Sequence, residues 1–451
     1  NGGGPGGMAA DAATDRGIEL ASLGDATLAA LNSHLPANWS HGNPADILGD
    51  ATADRFVAAI EAVLADPNVD GVLSLFCPQS LTSATEAAGA LIPAAKRSRK
   101  PVLTAWLGEH EVSAGRSMIE AAGMPAFTSP ETGVYAFGAL ADYTNAQRLL
   151  LEVPPPLAAS TTPDVTAAER LFEQLAGEGR TLMNESESKQ LLMCFGIPTT
   201  TTIEARSAEE AVAAADRLGY PVVLKILSRD IAHKSDVQGV RLSVRDALAV
   251  AEAYRDLVAR VREKRPDARI DGVAVQPMIE KRFARELMIG VATDPVFGPV
   301  ISFGAGGVAV ELLADNAIGL PPLSARLAEE MISRTRIAKL LAAYRHIPAA
   351  KKNDIVDVLL RVSDMITSLP WLAELDINPL QVDDAGAVAV DARVVIDPTR
   401  RVTDRRYSYM AIHPYPARLE RPATLKDGAT LVVRPIRPED ARMELDFVAG
   451  L

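Results

Sequence analysis

At 451 residues the chain is too long for one hydrophobic core, and two or three domains are expected. Its net charge of −12 and its scattered basic residues, grouped only at Lys96 to Lys100 and Arg400 to Arg406, weaken any nucleic-acid reading and leave small anions, which need only local positive sites. Cys77 and Cys194 stand far apart with no CxxC, against a disulfide framework or a structural zinc site. No apolar run approaches the roughly 20 residues of a membrane span, and the Gly-rich start lacks signal-peptide regions, so a cytoplasmic protein with no membrane partner is expected.

The chain opens on Asn1-Gly2-Gly3-Gly4-Pro5-Gly6-Gly7 and runs into an Ala-rich stretch from Met8. Backbone N–H groups of Gly3, Gly4, Gly6 and Gly7 together with a helix N-terminus form a candidate anion site. Up to residue 152, β-like runs at 72–76 and 101–106 alternate with helical stretches at 51–65 and 83–96, implying βαβ units and a parallel sheet. Pro154-Pro155-Pro156 and the Ser/Thr/Ala-rich segment to Pro163 mark a linker over 153–165.

The second block opens with an amphipathic helix around Glu185 to Phe195, stopped by Gly196-Ile197-Pro198. A helix from Ala208 to Leu218 follows, closed by Gly219. Strands at 222–226 and 239–244 flank the polar loop Ser228 to Gln238. Helices at 246–264 and 327–341 interleave with further strands, a pattern of α+β rather than a βα repeat. Prolines 414, 416 and 422 punctuate a second linker at 401–424, after which 430–434 reads as a strand and Pro438-Glu439-Asp440 as a helix start. No fixed-period repeat is present. The opening motif and the closing Gly450-Leu451 read as the ends of a piece of a longer polypeptide.

Lys225 lies within an apolar strand, where a buried ammonium requires an anion; a nucleotide phosphate and a snorkelling strand-end lysine both fit. His233, in Asp230-Ile231-Ala232-His233-Lys234-Ser235-Asp236, is either solvated surface or a phosphoryl acceptor, with Lys234 holding phosphate and Asp236 fixing the imidazole. Asn378, in Glu374-Leu375-Asp376-Ile377-Asn378-Pro379, and Asp391 place hard oxygens at the ends of two strands, suited to Mg²⁺ or to an Asn-Pro turn with a capping Asp. Phe303-Gly304-Ala305-Gly306-Gly307 marks a tight turn or a close backbone approach to a ligand. Neither glycine cluster carries the Walker ending.

Together the runs Gly219-Tyr220-Pro221-Val222-Val223-Leu224-Lys225-Ile226, His233-Lys234-Ser235-Asp236, Asp294-Pro295-Val296-Phe297-Gly298-Pro299 and Leu375-Asp376-Ile377-Asn378-Pro379-Leu380 with Asp391 resemble the NDP-forming (ADP-forming) acyl-CoA synthetases, relatives of succinyl-CoA synthetase. The resemblance implies an α/β chain: a flavodoxin-like parallel-sheet ligase-CoA domain at 1–152 and an α+β ATP-grasp domain at 166–400. It places Lys225 on ATP phosphate, Gln276 at the adenine hinge, Glu286 in the nucleotide pocket, Asn378 and Asp391 on Mg²⁺, and His233 as the second phosphohistidine of a relay. The implied reaction converts acid, ATP and CoA to acyl-CoA, ADP and phosphate, with a small carboxylic acid and CoA engaged through domains upstream of Asn1. Arg229, Gln238 and Tyr344-Arg345-His346 depart from the family pattern.

Residues 425–451, with Val433-Arg434-Pro435-Ile436-Arg437-Pro438-Glu439-Asp440-Ala441, resemble the opening of a GNAT acetyltransferase domain, truncated here. That resemblance implies a bifunctional parent acting on protein lysines, and a homo-oligomer is compatible with it. A catalytically silent, nucleotide- or acyl-CoA-binding module that controls the acetyltransferase is the alternative reading. An unrelated carboxylate-amine ligase would need neither the histidine run nor the first 152 residues.

Overall fold

The computed structural model describes residues 1–153, 162–228, 230–231, 234, 236–279, 281–307, 315–400 and 407–451. The centre of the first linker (154–161), Arg229, Ala232, His233, Ser235 and the basic run at 401–406 lie outside the described residues. The chain divides into two compact units, Asn1–Arg148 and Leu149–Leu451.

In the first unit, helices α1 (Gly3–Arg16), α2 (Asp25–His34) and α3 (Ala53–Ala65) precede strand β1 (Val72–Phe76). Helix α4 (Ala84–Arg97), β2 (Val102–Trp106), α5 (His110–Ala121), β3 (Ala126–Phe127) and α6 (Pro130–Leu151) follow. The strands form one parallel sheet in the order β1-β2-β3, with Val72 opposite Val102 and Thr104 opposite Ala126. Local chemistry sets the helix starts: Thr52 accepts from the Arg55 N–H and Ser83 from the Glu86 N–H, each satisfying a donor the helix leaves unpaired. Strand β2 is buried along its whole length, as expected of a parallel strand covered on both faces, and Trp106 stacks on Phe76 at 4.5 Å between centroids.

The second unit contains two sheets. Helices α7 (Val165–Gly177) and α8 (Glu185–Cys194) lead into β4 (Ile203–Ala205), α9 (Ala208–Leu218), β5 (Val222–Ser228), β6 (Val240–Val244), α10 (Ala247–Lys264) and β7 (Ile270–Pro277). These strands form an antiparallel sheet in the order β4-β7-β5-β6. Leu224 and Ile226 of β5 pack with Val250 and Leu257 of α10. Because side chains alternate across a strand, Val223, Lys225 and Leu227 point to the opposite face.

The second sheet takes β8 (Arg285–Asp294), β9 (Gly298–Ala305), β10 (Asn316–Gly319), β11 (Leu372–Val382), β12 (Ala387–Ala389) and β13 (Ala392–Ile396). Its order is β10-β9-β8-β11-β12, with β13 also on β11. Its core gathers Leu191 and Leu192 of α8, Ile289, Phe303 and Ile377 of the sheet, and Leu359 and Ile366 of α13 (Lys352–Ser368). The helical stretch predicted at 327–341 is broken into α11 (Ala325–Ser333) and α12 (Ala338–Leu341). The break has a long-range cause: the Asp315 carboxylate accepts from the N–H groups of Arg336 (2.7 Å) and Ile337 (2.8 Å). Residues 421–424, assigned by composition to a linker, form β14 (Arg421–Thr424), which pairs with β15 (Thr430–Val433) ahead of α14 (Ala441–Ala449). Pro422 is tolerated in so short a two-stranded ribbon, where one edge of each strand needs no ladder donor.

Among the described residues no helix is long and apolar enough to cross a membrane. Gly304 sits where β9 passes the chain entering β10, and a Cβ there would meet the Asp315 carbonyl oxygen at 2.1 Å. Gly304→Ala is therefore expected to lower the unfolding free energy by about 1 to 3 kcal/mol in urea titrations of the whole chain; an unchanged midpoint would contradict this packing.

Candidate functional site

Helix α8 begins with a capping box. Asn184 accepts from the Glu187 N–H (2.8 Å), and Glu187 accepts from the Asn184 N–H (2.7 Å). Arg180 grips the same Glu187 carboxylate with two donors at 2.9 and 2.8 Å. The first turn is thus fixed, and with it the neighbouring Glu185, whose side chain has no exposed surface.

Glu185 is surrounded by ammonium groups. Lys225 donates to its Oε1 at 2.8 Å, Lys189, one turn along α8, lies 3.1 Å from the same oxygen, and Lys234 donates to Oε2. The Gln276 amide of β7 adds a hydrogen bond at 2.6 Å. Lys189 is tied further to Thr200, Thr202 and the Gln276 carbonyl, at 2.7, 3.1 and 2.8 Å. Lys225 also donates to Asp391 at 3.0 Å, and the Asp391 carboxylate is one-third exposed. With both carboxylates ionised, three lysines against two acids leave the group one unit positive.

Protonation follows from that geometry. Burial alone would raise the Glu185 pKa, but Lys225, Lys234 and Lys189 overcome it and hold the carboxyl far below the usual range. For Lys225 burial acts to lower the pKa, and Glu185 and Asp391 outweigh it, so the group stays charged. Lys189 goes the other way: burial, reinforced by the nearby Lys225 charge, prevails over Glu185 and brings its pKa down to about 8.

A chain of contacts leads outward from Asp391. Its carbonyl accepts from the Asn378 N–H at 3.3 Å, and the Asn378 side-chain oxygen accepts from the Gly307 N–H at 2.9 Å. Gly307 adopts φ 71°, a conformation glycine takes without strain, and a Cβ on it would displace the exposed end of Glu286, whose Oε2 lies 2.1 Å away. Glu286 itself is exposed on β8, opposite Gln381 of β11. Among the described residues no three His, Cys, Asp or Glu side chains are grouped to hold a metal. The donor set at Asn378 and Asp391 nevertheless suits Mg²⁺, which takes one or two protein oxygens and completes its shell with water and phosphate.

Six residues singled out from the sequence therefore converge: Lys225, Lys234, Gln276, Asn378, Asp391 and Glu286. Gln276 is placed differently from a hinge residue facing a ligand, because its amide is buried and spent on Glu185, Lys189 and Thr200. Asp236 is exposed, and His233 lies outside the described residues. Next to it the loop closes through Gly239 N–H to the Lys234 carbonyl (2.7 Å), and Gln238 takes φ 54°, the left-handed conformation that glycine adopts without strain.

Gly3, Gly4, Gly6 and Gly7 fall inside α1 rather than in a loop before it. The anion at that helix start is the chain's own Asp46, which accepts from the Gly2 N–H at 2.9 Å, and Gly6 is buried against Pro44. Glu185 and Lys189 were not singled out from the sequence. Their signals are the Asn184–Glu187 capping pair and a Glu–Lys pair at i,i+4, a spacing that on most helices lies in solvent.

Two sheets meet over a lysine-rich polar centre, and comparison with known proteins identifies the domain families. Residues 174–396 match the ATP-grasp domain family and residues 1–151 the Ligase-CoA domain family. The chain is 36% identical over 232 residues to the acetate–CoA ligase (ADP-forming) I subunit beta of Pyrococcus furiosus, covering 51% of this chain and 99% of that one. It is 35% identical over 396 residues to the acetate–CoA ligase (ADP-forming) I of Archaeoglobus fulgidus, covering 88% of this chain and 56% of that protein. Among solved structures, a Ca. Korarchaeum cryptofilum dinucleotide-forming acetyl-coenzyme A synthetase 1 is similar at 37% identity with a TM-score of 0.49, over 51% of this chain and 100% of that chain. The chain belongs to the ADP-forming acetyl-CoA synthetase family, and it spans just over half the length of the Archaeoglobus relative.

The depressed Lys189 pKa fixes the sign of a pH effect. Unfolded, the amine holds its proton to about pH 10.5, while folded it releases it near 8. In that window the unfolded state binds more protons, so this group's contribution to stability rises with pH. Relative to Lys189→Met, the wild type is expected to gain about 1 to 3 kcal/mol between pH 7.5 and 10 in urea unfolding; parallel pH profiles would show that the amine is not desolvated.

Proposed function

We propose that the chain carries the nucleotide-binding and phosphoryl-transfer portion of an ADP-forming acyl-CoA synthetase: acid, ATP and CoA give acyl-CoA, ADP and phosphate through phosphohistidine. The observation that carries this reading is Lys225, a charged ammonium buried in β5 between Glu185 and Asp391 and on the sheet face away from the α10 core. The net positive group around it suits phosphate. Asn378 and Asp391 would hold Mg²⁺, which when bound would supply charge neutralisation on the phosphates.

In this proposal the His233 imidazole, neutral near pH 7, attacks the γ-phosphorus, the bond to the ADP oxygen breaks, and the phosphoryl group resides on the ring. Lys225 and Lys234 stabilise charge on the transferred oxygens, an electrostatic role that a low-dielectric site makes effective. Asp236 orients the imidazole, Glu286 contributes to the nucleotide pocket, and the backbone following Gln276 forms the adenine hinge. The acid is small and acetate-like, as the names of the relatives suggest, and CoA is the acyl acceptor.

The acetyltransferase proposed for the parent protein rests on the sequence run 433–441. Protein lysines would be its substrates.

The proposal is tested by incubating the chain with Mg²⁺ and γ-labelled ATP. Acid-labile, base-stable label is expected on the wild type and absent from His233→Ala, while Lys225→Met is expected to weaken nucleotide affinity by about tenfold or more. Nucleotide binding without label, in the whole parent protein as well, would favour the silent regulatory module.

A further inference from the structure

Three ammonium groups share one buried carboxylate, but they depend on it unequally. Lys189 has three other acceptors, in Thr200, Thr202 and Gln276. Lys225 has Asp391 and the Val390 carbonyl. Lys234 has, among the described residues, only Glu185 within hydrogen-bond reach, its next carboxylate oxygen being Asp391 Oδ1 at 3.8 Å. It is also the most exposed of the three, at 17% of its side chain against 2% and 7%. On the carboxylate, Lys234 holds Oε2, while Lys225, Lys189 and the Gln276 amide all converge on Oε1. Oε2 can therefore lose its ammonium while Oε1 keeps its whole set.

We propose that Glu185 is a built-in counter-anion whose Oε2 occupies Lys234 in place of the nucleotide's terminal phosphate, and that phosphate binding transfers Lys234 from the carboxylate to the ligand. This inference rests on the reading of the site as a nucleotide phosphate site and adds a positioning residue to it. The exchange conserves pairing. A phosphate oxygen replaces Oε2 as the acceptor for Lys234, and Glu185 remains compensated by Lys225 and Lys189, so no ammonium is left buried and unpaired at any stage. The unit of positive charge by which three lysines exceed Glu185 and Asp391 is the charge available to the incoming anion. Because Lys234 adjoins His233 in the chain, the same exchange places the loop's cation on the phosphate that the imidazole is to attack.

An internal anion competes with its ligand, whereas a purely structural carboxylate does not, and the two make opposite predictions. The dissociation constant of a non-hydrolysable ATP analogue with Mg²⁺ is measured by calorimetry on the whole chain for wild type, Glu185→Gln, Lys234→Met and the double variant. Removing the competitor in Glu185→Gln is expected to tighten binding by about tenfold, and Lys234→Met to weaken it by a similar factor. In the Lys234→Met background the glutamine is expected to bring no tightening. Weaker binding in Glu185→Gln, or equal tightening with and without Lys234, overturns the proposal. If Glu185→Gln does not unfold cooperatively, Glu185→Asp is read instead: its carboxylate stays charged but withdraws from Lys234, and binding tightens under the proposal and weakens under a structural role. Failure of the wild type to bind the analogue at all removes the nucleotide reading itself, a result distinct from either.

Discussion

A carboxylate with no exposed surface and three lysine ammoniums around it is the constraint on which the second unit depends. Glu185, Lys189 or Lys225, buried alone, would each cost several kcal/mol, so these three depend on one another. Glu185 comes from the start of α8, Lys189 from its second turn, Lys225 from β5, Gln276 from β7 and Lys234 from the histidine loop. The pairing therefore joins a helix packed on the core of one sheet to the central strands of the other. Asp391, between β12 and β13, completes the link from the far side.

That requirement explains why the local structure around Glu185 is so firmly set. The capping box and the Arg180 grip on Glu187 hold the first turn of α8, and Leu191 and Leu192 anchor the rest of the helix in the core. On the opposite side, β5 is buried throughout and paired on both edges, with Lys225 opposite Ala274 of β7 and Val240 of β6. Side chains held on such elements lose little conformational freedom when a ligand arrives, which is what electrostatic stabilisation of a transferring phosphoryl group demands.

Much of this was legible in the sequence, for reasons that particular residues make plain. The helix at 208–218 is bounded by Ser207 and Gly219, and α10 is capped by Asp246, so local chemistry alone places both. Lys225 stands out because a charge inside an apolar strand needs a partner, and Asn378 and Asp391 because hard oxygens flank β-like runs. Partners fixed only by tertiary structure left no comparable trace. Glu185 and Lys189 read as the polar positions of an amphipathic helix, and nothing local shows that this face is buried. The break between α11 and α12 depends on Asp315, more than 20 residues upstream, and the glycines of α1 meet Asp46 rather than open solvent.

Whether nucleotide phosphate binds at the lysine group around Glu185 is tested most directly by a crystal structure of the chain with Mg²⁺ and a non-hydrolysable ATP analogue. The terminal phosphates are expected within roughly 3 Å of the Lys225 ammonium, with Asp391 and Asn378 turned to the metal. A triphosphate bound elsewhere, with Lys234 still on Glu185, would contradict it.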